Sequence, residues 1–135
     1  MYGSKVRLVV KHSPYRYRDF SYPAAEASLA ARDQGKFHEM HALLLERSPK
    51  LDRGSLIACA RELSLDLARF TKDLDAMAHK KEIDRDVRLA EGLDLYTTPT
   101  LFINGIKVVG DRPFEAYREI IDRELKGSGP EGKNK

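Results

Sequence analysis

Residues Thr97–Gly110 read TTPTLFINGIKVVG, two short apolar runs around Asn104-Gly105, entered through a proline. Asn-Gly between apolar runs is the strongest short-range hairpin signal, because both central residues of a tight turn need positive φ and these two tolerate it best. The runs Thr100–Asn104 and Ile106–Val109 are therefore two strands. Pro99 stands just before the first. Local sequence leaves two forms open, a trans proline that opens a strand and a cis proline that turns the chain sharply; only about 5% of X–Pro bonds are cis. In the cis form the N–H and C=O of Thr98 face outward, where an extended peptide could pair with them as an added strand.

Outward from the hairpin the period changes from two to 3.6. Downstream, Pro113 suits the first turn of a last helix, with Phe114, Tyr117, Ile121 and Leu125 facing inward and Gly127 ending it. The tail from Gly127 to Lys135 is rich in Gly, Pro and Lys and is expected to be disordered, which leaves residues 1–126 as one domain. Upstream, Ala24–Gln34 is an Ala-rich helix stopped by Gly35. Three apolar sets then follow helical spacing: Phe37, Met40, His41 and Leu44; Leu56, Cys59, Ala60 and Leu63; and Leu67, Phe70, Leu74 and Met77, the last behind a cap at Asp66. Ile83, Val87 and Ala90 mark a further helix closed by Gly92. The aromatic, basic stretch His12–Pro23 lies between Pro14 and Pro23 and reads as a long loop. Before it, Lys5–Lys11 (KVRLVVK) reads as a strand with valine on both faces, as in a sheet covered on both sides. The order is strand, helical block, β-hairpin, C-terminal helix: an α/β architecture.

Composition narrows function. The chain has 135 residues, 41% hydrophobic and 33% charged, with a net charge of +3 and no basic run before the tail, so no nucleic-acid partner is expected. No stretch approaches the roughly 18 consecutive apolar residues of a membrane helix, so no membrane partner is expected either. Read with Met1 as the true start, the N-terminus lacks an export signal and the chain belongs in the cytoplasm.

Chemistry-bearing residues are few. The single cysteine, Cys59, excludes an internal disulfide. It falls mid-helix on the face of Leu56 and Leu63, as a buried, inert thiol would. His38 and His41 are spaced i, i+3 rather than the i, i+4 of helical zinc sites, with no third ligand, so no metal is assigned and no cofactor. His12 and His79 stand isolated and are read as solvated.

The hairpin and last helix, TTPTLFINGIKVVGDRPFEAYREIIDREL, resemble the C-terminal half of the DsbA-like, thioredoxin-fold disulfide oxidoreductases. KVRLVVKHSP resembles the strand before their helical insert, and QGKFHEMHALLLE and LSLDLARFTKDL resemble parts of that insert, in the right order over Lys5–Leu125. The resemblance implies an incomplete thioredoxin-like fold with a helical insertion. It makes Pro99 the cis-proline, with Thr98 and its neighbour Thr97 at the substrate. It also shows what is missing: members carry Cys-x-x-Cys at the start of a helix after the first core strand, and this sequence has neither the pair nor that strand and helix.

In the family's sheet the missing strand lies between those matching Lys5–Lys11 and Thr100–Asn104. Three repairs are open: Lys5–Lys11 pairing directly with the hairpin, a second copy completing the sheet as a homodimer, or a longer natural product. The resulting expectation is a DsbA-like chain that keeps the substrate loop but is redox-inactive alone. One alternative is a non-catalytic interaction module that holds extended or unfolded polypeptide at Thr98–Pro99 together with Tyr15, Tyr17, Phe20 and Tyr22. Another is a glutathione-dependent isomerase or transferase relative.

Overall fold

The structure, a computed structural model, describes residues 1–127; the expected disordered tail lies, beyond Gly127, outside the described residues. A short 3-10 turn, Gly3–Lys5, is followed by five helices, α1 (Ser21–Arg32), α2 (Phe37–Arg47), α3 (Arg53–Glu62), α4 (Leu67–Ala76) and α5 (Lys80–Gly92). Strands β1 (Thr100–Ile103) and β2 (Ile106–Val109) and helix α6 (Phe114–Gly127) complete the order. The chain forms two compact units, one of Lys11–Ala90 and one of Met1–Val10 with the residues from Glu91 on.

The helical unit is built around α1, which packs against α2, α3 and α4. Seven successive residues, Ala25 to Ala31, are buried, and four of them are alanine. A helix buried all round must be small-sided, so that its neighbours can approach. Met40, Leu44, Leu56, Cys59, Phe70 and Leu74 fill the space about it. Asp52 and Asp66 cap α3 and α4, each accepting from the backbone N–H three residues on, Ser55 at 3.1 Å and Arg69 at 3.0 Å. Tyr22 and Val87 pack on a smaller cluster of Ala25, Leu29 and Ile83.

Several expectations need correction here. Helix α1 begins at Ser21, inside the stretch read as loop, because Pro23 falls in its first turn, where a missing N–H costs no helical hydrogen bond. Met77 is not on the inner face of α4 but ends it, in the left-handed conformation at φ 47°.

His79 is not solvated. The carboxylate of Glu26, wholly buried, accepts from the His79 backbone N–H at 2.9 Å and lies 2.6 Å from its Nδ1. On the other side of the ring, Nε2 lies 2.8 Å from Asp33 Oδ2. Arg32 closes the cluster by a two-pronged bond to Glu82 at 2.6 and 3.1 Å. A second buried carboxylate, Asp86, accepts from Lys11 Nζ at 3.0 Å and from the His12 backbone N–H at 3.1 Å. Burial lowers the pKa of the His12 ring, which lies 3.4 Å from Ser28 Oγ.

The other unit is the opposite case: none of its described residues is buried. Its hairpin is antiparallel in the register Thr100–Val109 to Ile103–Ile106, and the turn takes Asn104 to φ 48° and Gly105 to φ 87°. The expected strand Lys5–Lys11 is not part of a sheet. Val6 is extended, at φ −126° and ψ 134°, but the sheet of the described residues has two strands, β1 and β2. Direct pairing of Lys5–Lys11 with the hairpin, one of the three repairs, is therefore not adopted. An extended run without a neighbour has no ladder to make it a strand. Phe114 likewise does not face inward: it is 57% exposed, while Tyr117, Ile121 and Leu125 on the same helix are half-buried.

Two predictions concern the helical unit. Phe70→Ala should cost about 3–5 kcal/mol of unfolding free energy, measured by urea denaturation with far-UV circular dichroism. His79 provides the second. Burial pulls its pKa down, but the bonds to Glu26 and Asp33 outweigh this and hold it above the usual value. A raised folded-state pKa contributes stability that is complete below the unfolded value of about 6.5 and fades as pH rises through the folded value. His79→Gln should thus destabilise the protein more at pH 5.5 than at pH 8.5 in paired urea titrations; an equal penalty at both would deny the charged bridge.

Candidate functional site

Thr97, Thr98 and Pro99 lie together in the link between α5 and β1, all exposed. The Thr98–Pro99 peptide is cis, as is Ser48–Pro49 elsewhere in the chain. Hydrogen bonds hold the link in place. Thr100 Oγ1 donates to the Thr97 carbonyl at 2.6 Å, and the Gly110 N–H donates to the Pro99 carbonyl at 2.8 Å. The second continues the β1–β2 ladder one step beyond the strands.

That bond also fixes the direction of each main-chain group. In an antiparallel pair, directly opposed residues alternate between exchanging both hydrogen bonds and exchanging none. Pro99–Gly110, Leu101–Val108 and Ile103–Ile106 fall in the bonded set by alternation. Thr100 and Phe102 therefore turn their N–H and C=O groups away from β2, along the outer edge of β1. The side chains divide as well: Leu101, Ile103, Ile106 and Val108 share a half-buried face, while Phe102, Lys107 and Val109 are exposed on the other.

Side-chain bonds lock this frame to α6. Tyr117 Oη accepts from the Arg112 N–H at 3.1 Å and donates to the Gly110 carbonyl at 3.3 Å. Asn104 Nδ2 donates to Glu124 Oε2 at 3.3 Å, and Tyr2 Oη to Asp122 Oδ1 at 2.9 Å. The edge is thus held on a braced hairpin.

No thiol stands on this unit. Cys59 belongs to the helical unit, has no exposed surface and packs in its core, with Arg47 Nη1 at 3.2 Å from Sγ. Arg47 also pairs with Glu62. The histidine pair is likewise structural: His41 stacks on Phe37 with ring centroids 5.7 Å apart, and burial, with His38 nearby, lowers its pKa. Among the described residues, no group of three His, Cys, Asp or Glu is placed to hold a metal ion. The aromatic residues considered with Thr98 and Pro99 divide. Tyr15 and Tyr17 stack at 5.2 Å and Tyr17 is exposed, whereas Tyr22 is committed to packing within the helical unit. Sequence reasoning missed Glu26; the signal was a single charged residue inside the small-residue run Ala24–Ala31.

The model of the DSBA-like thioredoxin domain matches residues 6–122. The chain belongs to the DSBA-like thioredoxin domain family. A thioredoxin-like oxidoreductase from Silicibacter pomeroyi DSS-3 superposes with a TM-score of 0.75 at 29% identity, over 86% of this chain and 66% of that structure. The thiol-disulfide exchange protein alpha-DsbA2 from Wolbachia pipientis shares the fold at 21% identity and a TM-score of 0.75, over 84% of this chain and 63% of its own. Among curated proteins, the Na(+)/H(+) antiporter NhaA of Herminiimonas arsenicoxydans is 32% identical over 94% of this chain. NhaA 1 of Salinispora arenicola is 35% identical over 93%. The chain spans only 20% and 19% of those two relatives. The fold is thus a thioredoxin-like α/β fold with a helical insertion. Its one cysteine excludes a Cys-x-x-Cys pair. Among the described residues no helix is long and apolar enough to cross a membrane.

In dilute protein the Thr100 and Phe102 amides should exchange with deuterium faster than those of Leu101 and Ile103, measured residue by residue by NMR. Equal protection across the four would contradict the outward edge.

Proposed function

We propose that this chain is a redox-silent DsbA-like domain that holds extended polypeptide along the outer edge of β1, beside Thr97, Thr98 and Pro99. One observation carries the reading: among the described residues β1 pairs with a strand on one side only, its Thr100 and Phe102 main-chain groups face outward, and the chain's one thiol is buried elsewhere. An added strand gains main-chain hydrogen bonds at such an edge, and alternate side chains give selectivity. Phe102, 48% exposed, offers an apolar contact on one face.

Thiol–disulfide exchange needs a thiolate that can reach the substrate disulfide and, for turnover, a second thiol to resolve the mixed disulfide. A single core thiol supplies neither. The chain should therefore reduce insulin no faster than its Cys59→Ala variant. An unfolded, cysteine-free peptide should slow amide exchange at Thr100 and Phe102 and shift their NMR signals. Insulin turnover that disappears in Cys59→Ala would refute the redox assignment; unchanged β1 amides at saturating peptide would refute the binding assignment.

A second reading rests on the curated relatives. Both antiporters contain a matching segment that makes up about a fifth of their length. On this reading the domain serves as a non-transporting module of a larger protein. Replacing the matching segment of the Herminiimonas arsenicoxydans antiporter with this chain should preserve Na(+)/H(+) exchange in membrane vesicles; loss of exchange with normal expression would count against it.

A further inference from the structure

We propose that two copies of this chain associate about a two-fold axis, with Val6–Val10 of each laid along the β1 edge of the other. The inference rests on the reading of β1 as an open edge and names a specific occupant for it.

The unit of Met1–Val10 and the residues from Glu91 on leaves unusual apolar surface in water. Leu8 is 69% exposed, Val9 58%, Phe114 57% and Phe102 48%, and none of its described residues is buried. Large apolar side chains left this exposed are available to an interaction partner. A two-stranded hairpin is marginal until a further strand or a packed face supports it.

The occupant must bring an extended backbone, apolar side chains and a length near that of β1. Val6–Val10 brings the length and the apolar side chains, and an extended backbone at its first residue. Val6 is extended, four of the five residues are apolar, and no residue of the run is in a ladder. The chain therefore carries both an open edge and a segment fitted to it. Surfaces that are complementary within one chain, rather than each to itself, satisfy each other reciprocally only about a two-fold axis; any other arrangement leaves an edge and a segment unfilled at the ends or runs on as a ring or filament.

Charge favours the β1 edge over the simplest competitor, in which the two Val6–Val10 segments pair with one another. Antiparallel pairing centred on Leu8 would set Lys5 opposite Lys11 at both ends, and like charges directly opposite are destabilising. β1 carries no charge: Thr100, Leu101, Phe102 and Ile103. An incoming Lys5–Lys11 segment meets no like charge on that strand.

The test uses the full chain. Analytical ultracentrifugation from about 1 to 200 μM should show a monomer of 15.3 kDa converting to a species of twice that mass. Val9→Pro removes an N–H from the docking segment, and Phe102→Asp places a charge on the accepting edge. Each should weaken dimerisation at least roughly tenfold, about 1.4 kcal/mol, with the helical circular dichroism spectrum retained. Phe102 amide protection should rise with protein concentration. A monomer throughout the range would overturn the second-copy occupant. If peptide still protected Thr100 and Phe102 in that monomer, the polypeptide-binding reading would stand without the dimer. A dimer unaffected by both substitutions would place the contact elsewhere and overturn the exchange.

Discussion

A β-strand is complete only when both of its edges are accounted for, and among the described residues the outer edge of β1 pairs with no further strand. β1 exchanges hydrogen bonds with β2 and turns the main-chain groups of Thr100 and Phe102 outward. Water can solvate those groups, so they cost little while exposed. They also remain available to any extended chain, which is why sheet proteins usually cover, shorten or charge their edges. β1 is short but uncharged, and Phe102 stands exposed beside it. The half-buried state of Leu101, Ile103, Val108, Tyr117 and Ile121 follows from the same shortage of neighbours. Two strands and one helix do not have enough surface to enclose each other.

The helical unit does not depend on that edge. Its stability comes from an alanine-rich helix that is surrounded by larger side chains from α2, α3 and α4. Glu26 interrupts this arrangement. A carboxylate without exposed surface is tolerated only when its oxygens are bonded, and His79 supplies both a backbone N–H and a ring nitrogen. Since Asp33 holds the opposite ring nitrogen, the imidazole links α1 to the start of α5. This is a polar fastening inside an apolar unit, and its net value depends on the charge of the ring.

The elements were legible in the sequence where the signal was local. Asn104-Gly105 marked the hairpin turn and Gly35 the stop after α1, both of which need positive φ, and the side chain of Asp66 marked the start of α4. Pro99 and Thr98 could be placed beside the first strand on local sequence as well. Errors arose where the outcome depended on a partner in space. The valines of Lys5–Lys11 show strand propensity, but propensity supplies no neighbour, so the segment joins no sheet of the described residues. Phe114 has the spacing of an inner face but meets no surface to cover it. Pro23 was taken as a barrier to a helix that it in fact helps to open. His79 was legible as a histidine and not as a bridge, since Glu26, Asp33 and His79 meet only through the packing of α1 against the chain before α5.

The family resemblance and the chemistry separate on the same grounds. Recognition at a strand edge requires backbone geometry, which the hairpin and its braces to α6 provide without any special side chain. Disulfide exchange requires a thiolate, and a thiol becomes one readily where a helix N-terminus or nearby cations stabilise the charge and solvent can reach it. Cys59 has a cation near its sulfur in Arg47, but it lies in the interior of α3 with no exposed surface, and that arginine also pairs with Glu62. Access, more than charge, sets the limit. A substrate disulfide would have to enter the core formed by Met40, Leu56 and Phe70 to meet the sulfur. The edge of β1 needs no such opening, so the polypeptide binding proposed for it does not depend on paired thiols.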